Sequence, residues 1–241
     1  MMKITKDLHG IVINTLKYKT SDLIVDVFCL EYGFMQLYVR GAQKTTSKSF
    51  YIFQLFNIIT FDLSKLNLDE LSIYKSGSIE QVFDFTNLDY DKINIVMFVN
   101  ELLNRIKRLS DNNYNNYYQD ITSFLSDIHT TNPFYLLNWF LYQSLVVLGC
   151  QPTLDCCVEC NKASKIVAFD LINNGFICQN CFDGNSKYLT DKNILNYLYK
   201  ISTKEEIANN SLNYDREIFR ILLEMINENA GVYLESAKYI Y

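Results

Sequence analysis

The sequence predicts an α+β multidomain protein: an N-terminal five-stranded OB-fold β-barrel, followed by an α-helical domain that carries a four-cysteine, zinc-ribbon-like insert. Three observations predict it. Short β-branched and aromatic segments fill the first 80 positions, apolar residues recur every three or four positions from Leu88 onward, and two Cys-x2-Cys pairs lie past the middle of the chain. The expected boundaries are 1–80 for the barrel, 81–150 and 186–241 for the helical domain, and 151–185 for the zinc-binding insert.

The barrel is predicted from five segments rich in Ile, Val, Phe and Tyr, separated by polar or glycine-containing turns. Several alternate apolar and polar residues, as a strand with one buried face does. The predicted strands span residues 8–19, 23–30, 34–40, 51–63 and 68–76. Five successive strands favour a closed Greek-key barrel, because closure removes exposed sheet edges, and this architecture is the OB fold.

The second half has the periodicity of half-buried helices. Helices are predicted at 93–109, 117–129, 133–148, 191–201, 204–209 and 214–229, with the polar run 111–118 as an exposed loop. Asn132 and Pro133 form a start signal for the helix at 133–148, and Gly149 ends it. Its apolar stretch, 134–148, is shorter than the roughly 20 residues that span a bilayer, so we expect no membrane segment.

The cysteine spacing predicts a structural zinc site with Cys157, Cys160, Cys178 and Cys181 as ligands. Residues 165–170 are predicted as a strand, 173–175 as a turn and 176–177 as the return strand, so that a hairpin joins the two pairs. Four protein ligands leave no position for substrate, which indicates architecture and not catalysis. A redox dithiol is the less favoured interpretation, and a register with Cys156 in place of Cys157 stays open.

The N-terminal residues MMKITKDLHG lack the apolar core and the cleavage site of a secretory signal. We therefore expect a reducing, cytoplasmic environment, in which these thiols bind metal and do not form disulfides.

Charge is distributed unevenly along the chain. Residues 1–80 carry nine Lys or Arg against eight Asp or Glu, whereas the whole chain has a net charge of −5. The segment 40–48 holds Arg40, Lys44 and Lys48 with no acid, and Lys17 and Lys19 flank Tyr18 at the first hairpin. These five cations are candidate phosphate contacts, and the tyrosine offers a stacking surface to a base. The alternative is a solvated loop with ordinary surface cations, which charge alone favours.

The order of several motifs resembles the RecO family of recombination mediator proteins. They are HGIV from His9, SDLIV from Ser21, YG at Tyr32, RGAQK from Arg40 with Ser47, GCQPTLD from Gly149, and NGFIC from Asn174. The resemblance covers nearly the whole chain. It implies a non-enzymatic, nucleoid-associated bacterial protein that binds single- and double-stranded DNA and anneals complementary strands. It also implies two protein contacts: a RecR-like partner, with which RecA is loaded on gaps, and the C-terminal tail of the single-strand-binding protein.

Carried onto matching positions, the resemblance makes Arg40 and Lys44 phosphate-contacting residues and the four paired cysteines zinc ligands. Lys48, Lys17 and Lys19 are added from charge. An enzyme is poorly supported, because the chain has two histidines, His9 and His129, and no phosphate-binding loop or nucleophile motif. The stronger competitor is a zinc-ribbon and OB-fold module that binds protein or RNA without a role in recombination.

Overall fold

The computed structural model describes residues 5–44, 46–107, 116–163, 165–185, 188–203 and 212–240. The chain divides into two compact units. Residues 1–93 with 100–125 form the first, called the barrel unit below, and residues 94–99 with 126–241 form the second, called the helical unit.

Five strands of the barrel unit close into a barrel in the order β1-β2-β3-β5-β4. They are β1 (Thr5–Tyr18), β2 (Asp22–Cys29), β3 (Gly33–Val39), β4 (Ile58–Lys65) and β5 (Leu71–Gln81). Neighbours are antiparallel except β3 and β5, which run parallel. Val12, Val25 and Leu37 are among the fully buried residues of the interior. The predicted OB-fold barrel is confirmed.

Strand β1 closes the barrel because it is long enough to pair on both sides. Its register with β2 begins at Gly10, and its register with β4 ends at Ile11, so Gly10 has partners in both neighbouring strands. A Cβ atom at Gly10 would lie 2.4 Å from Cγ1 of Val27. Glycine is therefore required at position 10, because any side chain there would collide with Val27.

The predicted strand 51–63 is wrong over its first part. Lys48–Ile52 forms a short helix, α1, and β4 begins only at Ile58. Between them Phe53 and Phe56 are 2% and 1% exposed. A helix end and a turn that insert aromatic side chains into a core have the composition of a buried strand, which is why the pattern misleads.

The helices are α2 (Tyr90–Ile106), α3 (Tyr117–Asp127), α4 (Pro133–Val147), α5 (Lys192–Thr203), α6 (Leu212–Ala230) and a 3-10 helix, Glu235–Tyr239. The Asn132 side chain caps α4 by accepting from the N–H groups of Phe134 and Tyr135, as its start signal predicts. Within the helical unit, the buried Asn138 amide donates to Tyr197 Oη at 3.0 Å and to the Asp215 carbonyl at 2.9 Å. The predicted helix 204–209 lies outside the described residues.

The insert is a four-stranded sheet in the order β6-β8-β7-β9. Its strands are β6 (Thr153–Cys157), β7 (Ile166–Asp170), β8 (Gly175–Cys178) and β9 (Tyr188–Leu189). The β7–β8 hairpin confirms the predicted ribbon, with Asn174 at φ 49° in its turn. Strands β6 and β9, one on each side of the hairpin, were not predicted. In the parts of the chain that the structure describes, no helix is long and apolar enough to cross a bilayer.

Candidate metal centre and candidate nucleic-acid interface

The four sulfur atoms of Cys157, Cys160, Cys178 and Cys181 lie within 4.8 Å of one another. The Cys160 and Cys178 sulfurs are 3.7 Å apart. Four thiolates that bind zinc at about 2.3 Å form a tetrahedron with edges of about 3.8 Å. The donor set and its spacing therefore fit a tetrahedral Zn²⁺ ion.

Local hydrogen bonds shape the two cysteine turns. In the first, the Asn161 N–H donates to the Cys157 carbonyl at 2.8 Å, and the Cys157 N–H donates to the Lys162 carbonyl at 3.1 Å. In the second, the Cys181 N–H donates to the Cys178 carbonyl at 3.1 Å. The parallel pairing of β6 with β8 places Cys157 opposite Phe176, two residues before Cys178. The sheet thus joins two turns that the chain forms separately.

The first thiol of each pair ionises more readily than an ordinary cysteine. Burial opposes the ionisation of Cys157, but backbone N–H groups, that of Cys178 foremost, outweigh burial and lower its pKa to about 6. The pKa of Cys178 is lowered in the same way, against burial, by the N–H groups of Cys181 and Asn180. Hydrogen bonds to Cys160 and Cys178 raise the pKa of Cys181 to about 12. A divalent cation would displace the protons that remain on such a cluster.

The other cysteines lie outside this cluster. The group of four sulfur atoms contains that of Cys157 and not that of Cys156. Burial and the hydrogen bond to Asp155 raise the pKa of Cys156. Cys29 is fully buried in the barrel, whereas Cys150 is half-buried.

The five predicted phosphate contacts lie in the barrel unit, and all are exposed. Lys17 and Lys19 belong to the β1–β2 hairpin, Arg40 and Lys44 to the loop after β3, and Lys48 to the first turn of α1. None of the five forms an ion pair with a carboxylate among the described residues. In the register of β1 with β2, Lys17 lies opposite the buried Leu23 and so points to the same side of the sheet as Leu23. Because successive residues of a strand point to opposite sides, Tyr18 points to the other face.

Gln43 connects the loop after β3, which carries Arg40 and Lys44 and is called the cationic loop below, to the β1–β2 hairpin. Its side-chain nitrogen donates to the Asp22 carbonyl at 2.6 Å and lies 3.2 Å from the Tyr18 carbonyl. Its backbone N–H donates to the Ser21 carbonyl at 2.9 Å. These bonds hold Arg40 and Lys44 beside the turn that carries Lys19.

Asp22, the first residue of β2, holds the start of the cationic loop. Its carboxylate accepts from Tyr38 Oη at 2.6 Å, from the Gly41 N–H at 2.9 Å and from Ser21 Oγ at 3.0 Å. The Tyr38 hydroxyl, the Gly41 N–H and the other donors together lower the pKa of Asp22. Gly41 has a φ of 65°, a conformation that glycine adopts without strain.

Two tyrosines lie between the cations. The rings of Tyr18 and Tyr38 meet edge to face with centroids 6.1 Å apart. Lys19 Nζ lies 5.2 Å from the Tyr18 centroid, and the Arg40 guanidinium lies 5.8 Å from that of Tyr38. We call Tyr18, Lys19, Tyr38 and Arg40 the cationic aromatic patch. Sequence reasoning missed Tyr38, although strand alternation places it on the same face as Arg40, two positions along.

The fold and the two sites define a class: a protein with an OB barrel, a cationic loop and a helical unit that holds four clustered thiols. The family model described as "Recombination protein O N terminal" matches residues 2–83, and "Recombination protein O C terminal" matches residues 87–238. The chain belongs to the RecO family.

Relatives in several bacteria are similar over most of their length. The DNA repair protein RecO of Mesoplasma florum is 27% identical over 233 residues, which are 94% of this chain and 86% of that protein. The protein of the same name in Listeria welshimeri is 28% identical over 239 residues, or 96% and 92% of the two chains. That of Halalkalibacterium halodurans is 31% identical over 180 residues, or 73% and 68%.

Proposed function

We propose that this chain is a DNA repair protein of the RecO type that works without catalysis. It binds single- and double-stranded DNA, anneals complementary strands and, with a RecR-like protein, helps to load the RecA recombinase on gaps coated with single-strand-binding protein. Membership of the family and the names of the relatives support this proposal. A second protein contact, with the C-terminal tail of the single-strand-binding protein, is proposed on the same ground.

The observation that carries the proposal is the cationic aromatic patch. The patch combines exposed cations with an exposed ring, Tyr18, and a half-buried ring, Tyr38. Cations and aromatic rings are the two elements that hold a single strand, because the cations attract phosphates and the rings stack on bases. Tyr18 is 40% exposed, which leaves part of its ring accessible. We assign phosphate contacts to Arg40, Lys44, Lys48, Lys17 and Lys19, with Tyr18 and Tyr38 as stacking residues.

The balance of charge supports transient binding. The chain carries a net charge of −5, so its attraction for DNA comes from a local patch and not from the whole surface. A few phosphate contacts release few counterions, which gives modest and salt-sensitive affinity. Such affinity suits a protein that holds two strands briefly and then releases them.

We further propose that Cys157, Cys160, Cys178 and Cys181 bind one structural Zn²⁺ ion. Zinc with four thiolates is closed to substrate and supplies folding energy. The ion would link the end of β6, through Cys157, to the end of β8, through Cys178. Such a link would stabilise the insert, whose sheet has only four short strands. This role requires no contact between the metal and DNA.

Fluorescence anisotropy with a labelled 20-nucleotide single strand, over a series of salt concentrations, tests the DNA-binding role. For the double variant Arg40→Ala with Lys44→Ala, the slope of log K against log salt should flatten by about 1.4, since each lost phosphate contact is worth about 0.7. Tyr18→Ala should weaken binding roughly fivefold or more without changing the slope, because stacking releases no counterions.

The matched control is Lys192→Ala with Arg216→Ala, which removes one exposed lysine and one exposed arginine from the helical unit. It should change the slope less than the loop variant does. Binding by the intact protein that is absent or independent of salt would instead favour a protein- or RNA-binding module.

A further inference from the structure

The barrel unit holds a pocket of about 360 Å³ on the outer face of β1, β2 and β3, beside the loop that joins β4 to β5. We call it the acidic pocket. The side chains that decide its chemistry are Asn14, Asp26, Gln36, Asp69, Glu70 and Lys107.

The most deeply buried charge at the pocket is the carboxylate of Asp26. Asp26 is 3% exposed and accepts from the Asn14 amide at 3.1 Å, from the Gln36 amide at 2.7 Å and from the Lys107 ammonium. The Lys107 ammonium also donates to Asn104 Oδ1 at 2.9 Å. Each of these amides gives one of its two N–H groups to Asp26, so each keeps a carbonyl oxygen as an acceptor and one further N–H as a donor.

The rim combines charge with apolar surface. Asp69 and Glu70 are exposed at its edge. Leu16 and Leu68, also at the pocket, are 52% and 51% exposed. Among the residues that the structure describes, the lining therefore has three carboxylates against one ammonium, which is already paired with Asp26, together with two amide groups and two accessible leucines.

Phosphodiesters are poor ligands for such a lining, because its carboxylates repel anions. An arginine or lysine side chain fits it: the cationic head meets the carboxylates and amide oxygens while the methylene stem lies on the leucines. We propose that the acidic pocket binds a basic segment of a protein partner, in which an arginine or lysine stands next to an apolar residue. This proposal does not depend on DNA binding.

The position of the pocket allows a basic peptide segment and a DNA strand to bind at the same time. Asn14 and Asp26 pair across β1 and β2 at one end of the face, and Tyr18 and Asp22 pair at the other. Four residues of strand separate the two rows, or about 13 Å at 3.3 Å per residue. The Asp26 carboxylate thus lies farther from the row of Tyr18 than the Debye length of about 8 Å at physiological salt, whereas Leu16, the apolar contact of the pocket on β1, lies two residues from Tyr18. One face of the barrel thus offers nucleic acid and protein separate positions.

Nuclear magnetic resonance of the full ¹⁵N-labelled chain tests the proposal, with the synthetic peptide acetyl-Gly-Leu-Arg-Leu-Gly-amide as probe. The peptide should shift the amide signals of Gln36, Asp69 and Glu70. A peptide with norleucine in place of arginine should bind at least about tenfold more weakly, because it lacks the charge-assisted bonds. The double variant Asp69→Asn with Glu70→Gln should weaken the arginine peptide to a similar extent, since it removes both rim charges.

The control is Glu224→Gln with Glu228→Gln, which makes the same change of charge on the exposed side of α6. It should leave peptide binding within about twofold, because neither residue lines the pocket. Leu68→Ser provides a second variant, which tests the apolar contact without altering charge.

Any of four results would overturn the proposal: shifts confined to other amides, equal weakening in the control variant, equal binding of the norleucine peptide, or displacement of the arginine peptide by spermidine at equal concentration. A thymidine oligonucleotide that shifts the pocket amides would assign the site to nucleic acid instead. None of these results bears on the salt dependence of DNA binding at Arg40 and Lys44.

Discussion

The ion pair between Lys107 and Asp26 gives a direct test of the packing of the barrel unit. The Lys107 side chain is 16% exposed and that of Asp26 is 4% exposed, so neither charge is well solvated. Replacing Lys107 with methionine keeps most of the volume and leaves the carboxylate with only neutral donors. We expect the free energy of unfolding to fall by about 3 kcal/mol, the lower end of the range for breaking a buried pair, because Asn14 and Gln36 still donate.

This loss is large enough to measure by several methods. At about 2–4 °C per kcal/mol for a chain of this size, the melting temperature should fall by about 6–12 °C. Urea unfolding followed by circular dichroism should show a lower midpoint with an unchanged slope. The control Lys192→Met, at an exposed position, should stay within about 0.5 kcal/mol of the parent.

A second substitution separates the charge from the side-chain volume. With Asp26→Asn added to Lys107→Met, no buried charge remains, and we expect at least half of the lost stability to return. The reasoning fails if Lys107→Met alone costs less than about 1 kcal/mol, or if the double variant is no more stable than the single one.

Two further predictions concern the metal centre and the loop anchor. Elemental analysis should find one zinc per chain, and chelation or Cys178→Ser should lower the melting temperature, because thiolate coordination is coupled to local folding; zinc-free protein with unchanged heat resistance would exclude a structural role. Asp22 has a pKa lowered below its usual 3.8, so its anchoring of the loop is complete above that pH and is lost as pH falls through the folded-state pKa. Asp22→Asn should therefore abolish the acid-dependent change in the Gly41 amide signal, and a variant that titrates like the parent would contradict the assignment.

Local patterns predicted most of the architecture. Strands with one buried face alternate, as β3 and β4 do, and a side-chain cap marks the start of a helix, as Asn132 does for the apolar helix α4. The cysteine pairs were readable because each turn is formed by neighbours in sequence. The stretch before β4 was misread because burial of Phe53 and Phe56 leaves the same composition whether the backbone is extended or turned.

The sites were less predictable because long-range hydrogen bonds build them. Tyr38 reaches Asp22 across 16 positions, and Gln43 reaches Tyr18 across 25. Lys107 and Asp26 are 81 positions apart, and nothing near either residue in the chain indicates the other. Charge and spacing could nominate Arg40 and Lys44, but only the folded barrel reveals the acidic pocket on the same face.

The Gln43 side chain donates hydrogen bonds to main-chain carbonyl oxygens of the first hairpin and not to its side chains. Substitutions at Lys19 or Thr20 therefore leave the acceptors of the Gln43 hydrogen bonds in place. The affinity of the cationic aromatic patch for DNA can thus be raised or lowered at the hairpin while the loop stays bound to it. Both natural variation and protein engineering can therefore adjust the affinity for DNA at the turn, provided that Gln43, which holds the loop against the turn, is kept.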